Sequence, residues 1–504
     1  MHNRRRRLRG WPVALAVLAL ASWMLTHGAA PLAQSAAPQV PPGSGARDAA
    51  SGLGAAQRAA LTTRVDELAR WVKEQQGQLS LHVVDLETGR ELAAVEASRA
   101  LNPASNMKIV TAAAALDLLG PDYSFRTGIY GELRGSRARS LTLRGDGDPS
   151  LTMGDLWRLG AALVARGVSS VEGDLWVDQS RFDAQFVPPA FEQQPNEWAY
   201  FRAPVSAVAL EANTVTMNVL PTRAGEAARV WFDPPGFIEA SGSIRTESSG
   251  EPKLTLALTP SGDRLRARLS GTLGERAARQ RVVRRVDDPR LFPGYALAHV
   301  LRTLGVELQG EVKAGGREVK QELVHVSSRP LAELTTRLGK QSDNFYAEMI
   351  FKALAAEEQP GVPSSFEAAA ARVTSWLTQK LGQASEGSVI LNGSGLFDAN
   401  RLSARALTGV LGYAEESPRL SAEFMTQLAV GGVDGTLRSR FTQTRAARSV
   451  RAKTGTLAKV ASLSGYVMRP GRRPIAFSVL ISDVSDHAGA RQRTDRVVMA
   501  LAAP

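Results

Sequence analysis

Apolar residues recur every three or four positions over Ala59–Gln75, with Leu61, Val65, Leu68, Trp71 and Val72 on one face, which predicts an amphipathic helix. Alternation replaces that period at Leu79–Leu86 and Glu91–Val95, predicting two strands joined by a Glu87-Thr88-Gly89 turn. Met107–Leu119 is an Ala- and Leu-rich helix, stopped by Gly120-Pro121. From Phe125 to about Glu322 the texture changes to short alternating stretches: Ser140–Leu143, Asp174–Val177, Thr214–Val219, Lys253–Leu258 and Leu265–Leu269. Gly, Pro and Asp separate them, and only Leu156–Ala165 and Tyr295–Leu304 carry helical spacing there. Beyond Pro330 the pattern is helix-rich to about Gln427. It closes with strands Ala461–Met468 and Ile475–Ile481 and a helix over Arg491–Leu501. No segment repeats another. The pattern predicts a mixed α/β (α+β) protein whose α/β domain is built from both ends of the chain and interrupted by a mostly β insert.

The N-terminus is patterned differently. Met1–Arg9 is basic, Trp11–Leu25 is mostly apolar, and small residues follow in His27-Gly28-Ala29-Ala30-Pro31-Leu32-Ala33. That is the layout of a secretory signal peptide, and the apolar run is short for a membrane span. An uncleaved anchor is the alternative; in either case the bulk of the chain is expected outside the cytoplasmic membrane. Residues 34–56, rich in Ala, Pro, Gly and Ser, read as a flexible leader.

Composition narrows the function classes. With 504 residues, 44% hydrophobic and 22% charged, the chain can bury a large core, which excludes wholesale disorder. The net charge is +12, but Arg4–Arg7 and Arg9 supply five of it, and the remaining basic residues are scattered rather than striped. That is no nucleic-acid footprint. There are no cysteines, so disulfides, Cys-ligated zinc and thiol catalysis are excluded. The six histidines show no paired ligand spacing, and no Gly-x-Ser-x-Gly elbow or nucleotide-binding Gly-x-x-x-x-Gly-Lys-Ser/Thr loop occurs. No metal or cofactor is expected.

Three short motifs carry candidate chemistry. Ser105-Asn106-Met107-Lys108 opens the Met107–Leu119 helix, and its spacing puts the Ser105 hydroxyl and the Lys108 amine on one face, about a turn apart. A serine hydroxyl needs a base to become a nucleophile, and lysine is that base only where burial or a nearby cation keeps it neutral. Taken alone the pattern fits equally well a helix-capping serine beside a solvated lysine. Ser342-Asp343-Asn344 lies between an amphipathic stretch (Leu331–Leu338) and a helix (Phe345–Ala355). Its hydroxyl and amide can relay a proton and hold a substrate carbonyl, or simply cap the helix. Lys453-Thr454-Gly455, followed by Thr456 and then a strand, offers a cation and a hydroxyl for a carboxylate. Gly455 would let an extended substrate lie against the strand edge. Each motif occurs once, in the order that a Ser/Lys acyl-transfer site requires.

With these motifs the chain resembles the D-alanyl-D-alanine carboxypeptidase/endopeptidase family, the class C low-molecular-mass penicillin-binding proteins. The 237 residues between Ser105 and Ser342 match that family's large insertion, where class A β-lactamases keep the interval short. Gly147-Asp148-Pro149-Ser150-Leu151, Gly173-Asp174-Leu175, Ala203-Pro204-Val205-Ser206-Ala207, Asn392-Gly393-Ser394-Gly395-Leu396 and Gly432-Val433-Asp434-Gly435-Thr436-Leu437 are also similar to it. Phe397 departs, standing where the family often has a small polar residue.

The resemblance implies a β-lactamase/transpeptidase-like domain in two parts, 57–124 and 323–504, around a mostly β insertion at 125–322, behind a signal peptide at 1–33. It implies a periplasmic enzyme without cofactor that hydrolyses D-Ala-D-Ala bonds and D-Ala–diaminopimelate cross-links of peptidoglycan stem peptides, with β-lactams as covalent inhibitors. Ser105 would be the acylated nucleophile, Lys108 its base, Ser342 and Asn344 the relay, and Lys453 and Thr454 the carboxylate binders. Backbone N–H groups of Ser105 and Thr456 would form the oxyanion hole. Glu197, in Pro195-Asn196-Glu197-Trp198, would read the free amine of diaminopimelate. A β-lactamase-like hydrolase or esterase, and a non-catalytic wall-binding scaffold, are the alternatives.

Overall fold

The structure, a computed structural model, describes residues 53–194 and 197–502. The signal-peptide reading and most of the leader reading thus lie outside the described residues. The first helix, Ala55–Glu74, starts before the predicted Ala59 and buries the expected face of Leu61, Val65, Leu68, Trp71 and Val72.

Both ends of the described chain meet in one six-stranded antiparallel sheet. Its order is Ala429–Val430, Val450–Leu457, Val460–Arg469, Arg472–Ser482, Gln78–Asp85, Glu91–Val95. Gln78–Asp85 pairs with Arg472–Ser482 along its whole length, from Gln78 opposite Ser482 to Asp85 opposite Ile475. Arg472–Ser482 is a near-continuous apolar run because helices cover both faces of the sheet. Ile475, Phe477, Val479 and Ile481 pack with residues of Ala55–Glu74 and His487–Leu501. Ala476 and Leu480 pack on the opposite side with Met107–Leu118 and the helices after Pro330.

A buried ion pair pins the sheet. Asp85 accepts two bonds from the Arg469 guanidinium, at 2.7 and 2.9 Å, and is 0% exposed. Burial works against the Asp85 charge, but Arg469 and backbone N–H groups prevail and hold its carboxyl below the usual range. The stability it contributes is therefore present above the ordinary carboxylate pKa and lost as pH falls through the lowered one. Asp85→Ala takes the closest carboxylate from a buried guanidinium, leaving it the Arg473 carbonyl and Glu87 at 3.6 Å, and is expected to lower unfolding free energy by about 3 kcal/mol. A shift of the urea midpoint at unchanged slope checks this.

The region from Arg126 to Ser327 forms three sheets of its own. Seven strands make the largest, among them Arg126–Arg134, Arg137–Gly145, Leu175–Asp178 and Glu322–Ser327. Helices Met153–Ala165 and Phe292–Thr303 share its apolar core. Met153–Ala165 begins three residues before the predicted Leu156 because Thr152 and Asp155 form a reciprocal capping box. A four-stranded and a three-stranded sheet complete the region, and Arg229–Asp233 and Gln280–Arg285 are strands the alternation did not reveal. This region is anchored to the helix Asn344–Glu358 by Lys352. That lysine is 0% exposed, pairs with Asp183, donates to the Gln185 carbonyl at 3.0 Å and lies against the Phe182 and Phe366 rings. Among the described residues no helix is long and apolar enough to cross a membrane.

Candidate active site

Ser105 sits in a single 3-10 turn, Ala104–Asn106, that runs into the helix Met107–Leu118. Side chains on both sides fix the turn. The Asn102 carboxamide oxygen accepts the Ala104 N–H at 2.8 Å, and its nitrogen donates to the Phe397 carbonyl at 3.1 Å. Asn106 ties the turn to the sheet through Ser464, at 2.7 Å. Ala104 is held at φ +46°, a conformation that L-residues adopt at a cost and that clusters at functional sites.

Lys108 is 0% exposed, and its ammonium has three partners: Ser105 Oγ at 3.0 Å, Asn344 Oδ1 at 2.8 Å and the Ser394 carbonyl at 2.7 Å. All three donors of the charged form are used. In the neutral form the same geometry lets Ser105 donate to the amine lone pair. Burial pushes the Lys108 pKa down to about 7, with Glu348 and Asp343 opposing the fall. The amine is therefore a base poised near neutrality.

Ser342, at φ +58°, precedes the helix Asn344–Glu358, whose N-terminus Asp343 caps by accepting the Tyr346 N–H at 3.2 Å. The capping reading of this motif and its proximity to the serine thus hold together. Asn344 Nδ2 donates to the Phe201 carbonyl at 3.2 Å, which brings a loop of the inserted region to the site.

Lys453-Thr454-Gly455 is followed by the predicted strand, Val460–Arg469, but also lies inside a strand of its own, Val450–Leu457, which the sequence pattern did not mark. The misreading has a physical cause: Lys453 is a charged residue turned inward, which breaks the polar-out alternation. Its amine donates to Ser342 Oγ and to the Thr454 carbonyl, both at 2.8 Å. Burial, reinforced by the nearby Lys108 charge, holds its pKa well below normal. Thr454 donates to the Thr436 hydroxyl at 2.8 Å. Gly455 is required by close approach: a Cβ there would fall 2.2 Å from Ser462 Oγ and 3.0 Å from the Pro103 carbonyl. A cavity of about 250 Å³ opens beside Thr454, Gly455 and Thr456, with Thr436, His487 and Arg491 in its wall.

Ser105, Lys108 and Asn344 therefore form one hydrogen-bonded group, and Ser342, Lys453 and Thr454 a second. Glu197 stands apart from both. Its carboxylate faces Arg202 Nη1 at 3.6 Å and its carbonyl accepts from Arg285 at 2.9 Å, on the loop that leads to Phe201. Sequence reasoning assigned no role to the Ser394 carbonyl or to Glu348. A backbone acceptor leaves no compositional signal, although its stretch, Asn392-Gly393-Ser394-Gly395-Leu396, was already noted for similarity.

Comparison with known proteins gives a consistent picture. The family described as D-Ala-D-Ala carboxypeptidase 3 (S13) matches residues 61–503. A D-alanyl-D-alanine carboxypeptidase of Actinomadura sp. (strain R39) is 33% identical over 79% of this chain and 76% of its own length. D-alanyl-D-alanine carboxypeptidase DacB of Haemophilus influenzae is 27% identical over 76% of this chain and 80% of its own. The crystal structure of penicillin binding protein 4 (dacB) from Haemophilus influenzae superposes with a TM-score of 0.70 at 24% identity, covering 85% of this chain and 97% of that one. It shares the fold: a transpeptidase-like α/β domain carrying a large β insertion.

Proposed function

The chain belongs to the D-Ala-D-Ala carboxypeptidase 3 (S13) family, and from that membership we propose that it is a serine DD-peptidase that cleaves terminal D-Ala-D-Ala bonds of peptidoglycan stem peptides through an acyl-enzyme on Ser105. The observation that carries this reading is the buried Lys108 amine, 3.0 Å from Ser105 Oγ and with a pKa near 7. Ser105 attacks the carbonyl of the penultimate D-Ala while neutral Lys108 takes its proton. Backbone N–H groups of Ser105 and Thr456 receive the oxyanion; losing one such donor costs about 3 kcal/mol. Collapse breaks the peptide bond, and the proton that Lys108 took passes through Ser342, which Lys453 orients at 2.8 Å, to the leaving amine, so that Lys108 is neutral again. Water then hydrolyses the ester, and Asn344 keeps Lys108 in place in both halves of the cycle. The Lys453 charge and the Thr454 hydroxyl, beside the cavity, meet the terminal carboxylate.

The same chemistry serves an endopeptidase when the leaving amine belongs to a diaminopimelate cross-link. Glu197 would then meet the free amine of that residue, in competition with Arg202. The proposed domains are a transpeptidase-like domain in two parts, 57–124 and 323–504, around an inserted, mostly β region at 125–322. Peptidoglycan lies outside the cytoplasmic membrane, and the basic and apolar N-terminus suits export to the periplasm.

Mass spectrometry of the intact protein with benzylpenicillin, together with D-Ala release from a stem pentapeptide, tests the proposal. A single stable adduct is expected, with acylation and D-Ala release both rising as pH passes about 7, because only the neutral amine is a base. Rapid consumption of penicillin without an adduct would favour a β-lactamase-like hydrolase. Neither adduct nor turnover would favour a non-catalytic scaffold.

A further inference from the structure

Glu348 lies one helical turn beyond Asn344 and is 1% exposed. Both of its carboxylate oxygens are used: Oε2 accepts the Gly393 N–H at 2.9 Å and Oε1 the Ser394 N–H at 2.8 Å. The carbonyl of that same Ser394 accepts from Lys108 Nζ at 2.7 Å. The serine helix grips the loop from its other side, where Thr111 donates to the Gly393 carbonyl at 2.7 Å. Within the loop, Asn392 Oδ1 accepts the Gly395 N–H at 2.9 Å. Gly395, at φ +73°, sits so close to the serine turn that a Cβ would fall 1.9 Å from the Ala104 carbonyl. The loop is tightly packed, and the Glu348 carboxylate is what holds its Gly393 and Ser394 N–H groups.

We infer that Glu348 is a positioning residue of the acyl-transfer site: it clamps the Gly393–Ser394 backbone so that the Ser394 carbonyl meets Lys108, and its charge balances the ammonium that forms when Lys108 takes the serine proton. The inference rests on the reading of Ser105 and Lys108 given above. Burying a carboxylate is costly unless it is hydrogen-bonded, and here the two hydrogen bonds come from the loop whose Ser394 carbonyl meets the base, with the Lys108 charge nearby. An apolar residue at this position would leave two buried N–H groups without acceptors.

The charges facing Lys108 are Glu348 from its helix, Asp343 just before that helix, and Lys453 from the strand Val450–Leu457. The charge facing Glu348 is Lys108; burial raises the Glu348 pKa, and the Gly393 and Ser394 contacts oppose it. Removing the Glu348 charge destabilises the ammonium, so Lys108 should titrate at lower pH and be a weaker base.

The experiment compares the wild type with Glu348→Gln and Glu348→Asp in the full chain, using the rate of acylation by benzylpenicillin from pH 5 to 9 and thermal melting as a folding check. Glutamine is close in shape but offers one acceptor for two donors. Glu348→Gln is expected to acquire one penicillin about 100-fold more slowly, since a misplaced catalytic group costs that order, with its pH midpoint moved down. Glu348→Asp keeps the charge but falls short of both N–H groups, so it should be slowed with the midpoint left at the wild-type position. Glu348→Gln acylated at the wild-type rate, or slowed with an unmoved midpoint, would overturn the inference and leave a structural brace. If Glu348→Gln does not fold, Glu348→Asp decides, and the full wild-type rate there overturns it. A wild type that is not acylated at all would instead refute the Ser105–Lys108 reading beneath it.

Discussion

Ser105→Ala is expected to abolish D-Ala release and covalent labelling by benzylpenicillin together, with a loss of about 10⁴-fold or more in turnover. In the proposed mechanism the two activities share one atom, Oγ, so they should fall together. The fold should not fall with them. Among the described residues the Ser105 hydroxyl accepts from Lys108 alone, and the turn around it is held by Asn102, Asn106 and Ser462. Unfolding free energy should therefore stay within about 0.5 kcal/mol of the wild type. Intact-mass spectra and a denaturation curve on the same preparation check both halves. A penicillin adduct persisting on the variant would move the nucleophile elsewhere and end the assignment.

Lys108→Met is expected to slow acylation by about 10³- to 10⁴-fold and to erase the rise in rate through pH 7. Methionine fills nearly the same volume without the amine, so the experiment removes the proposed base and leaves the packing. The stability cost should be modest because two effects oppose. Asn344 Oδ1 and the Ser394 carbonyl lose a buried donor, at about 1 kcal/mol each, while the burden of burying an amine disappears. Stopped-flow acylation across pH, with thermal melting beside it, separates these. A variant that keeps the wild-type pH profile would show that another group takes the serine proton.

Much of the architecture was legible because burial and period agree. Thr214–Val219, Ala461–Met468 and Ile475–Ile481 were placed within a few residues of Thr214–Leu220, Val460–Arg469 and Arg472–Ser482, where apolar alternation or a continuous apolar run marks the strand. Gln280–Arg285 was not legible: it contains three arginines and only partly buried residues, so its polarity conceals the pairing with Thr214–Leu220. The site shows the same division. Side chains with distinctive spacing, Ser105, Lys108, Ser342, Asn344 and Lys453, stood out in the chain, and the structure brings them together. What completes their surroundings is backbone or disguised. The Phe201 and Ser394 carbonyls have no side-chain signature, and Glu348 is indistinguishable by type from a solvated helical glutamate.

The pairing of Gln78–Asp85 with Arg472–Ser482 also sets a clock. The sheet that supports Ser105 is completed by a strand close to the far end of the chain, and Gln57 reaches across to the Ala502 carbonyl at 3.2 Å. The two strands lie far apart in the sequence, and long-range pairing of this kind closes late and slowly. The surroundings of Ser105 are therefore expected to be among the last parts of the domain to form, after the helices whose contacts are local.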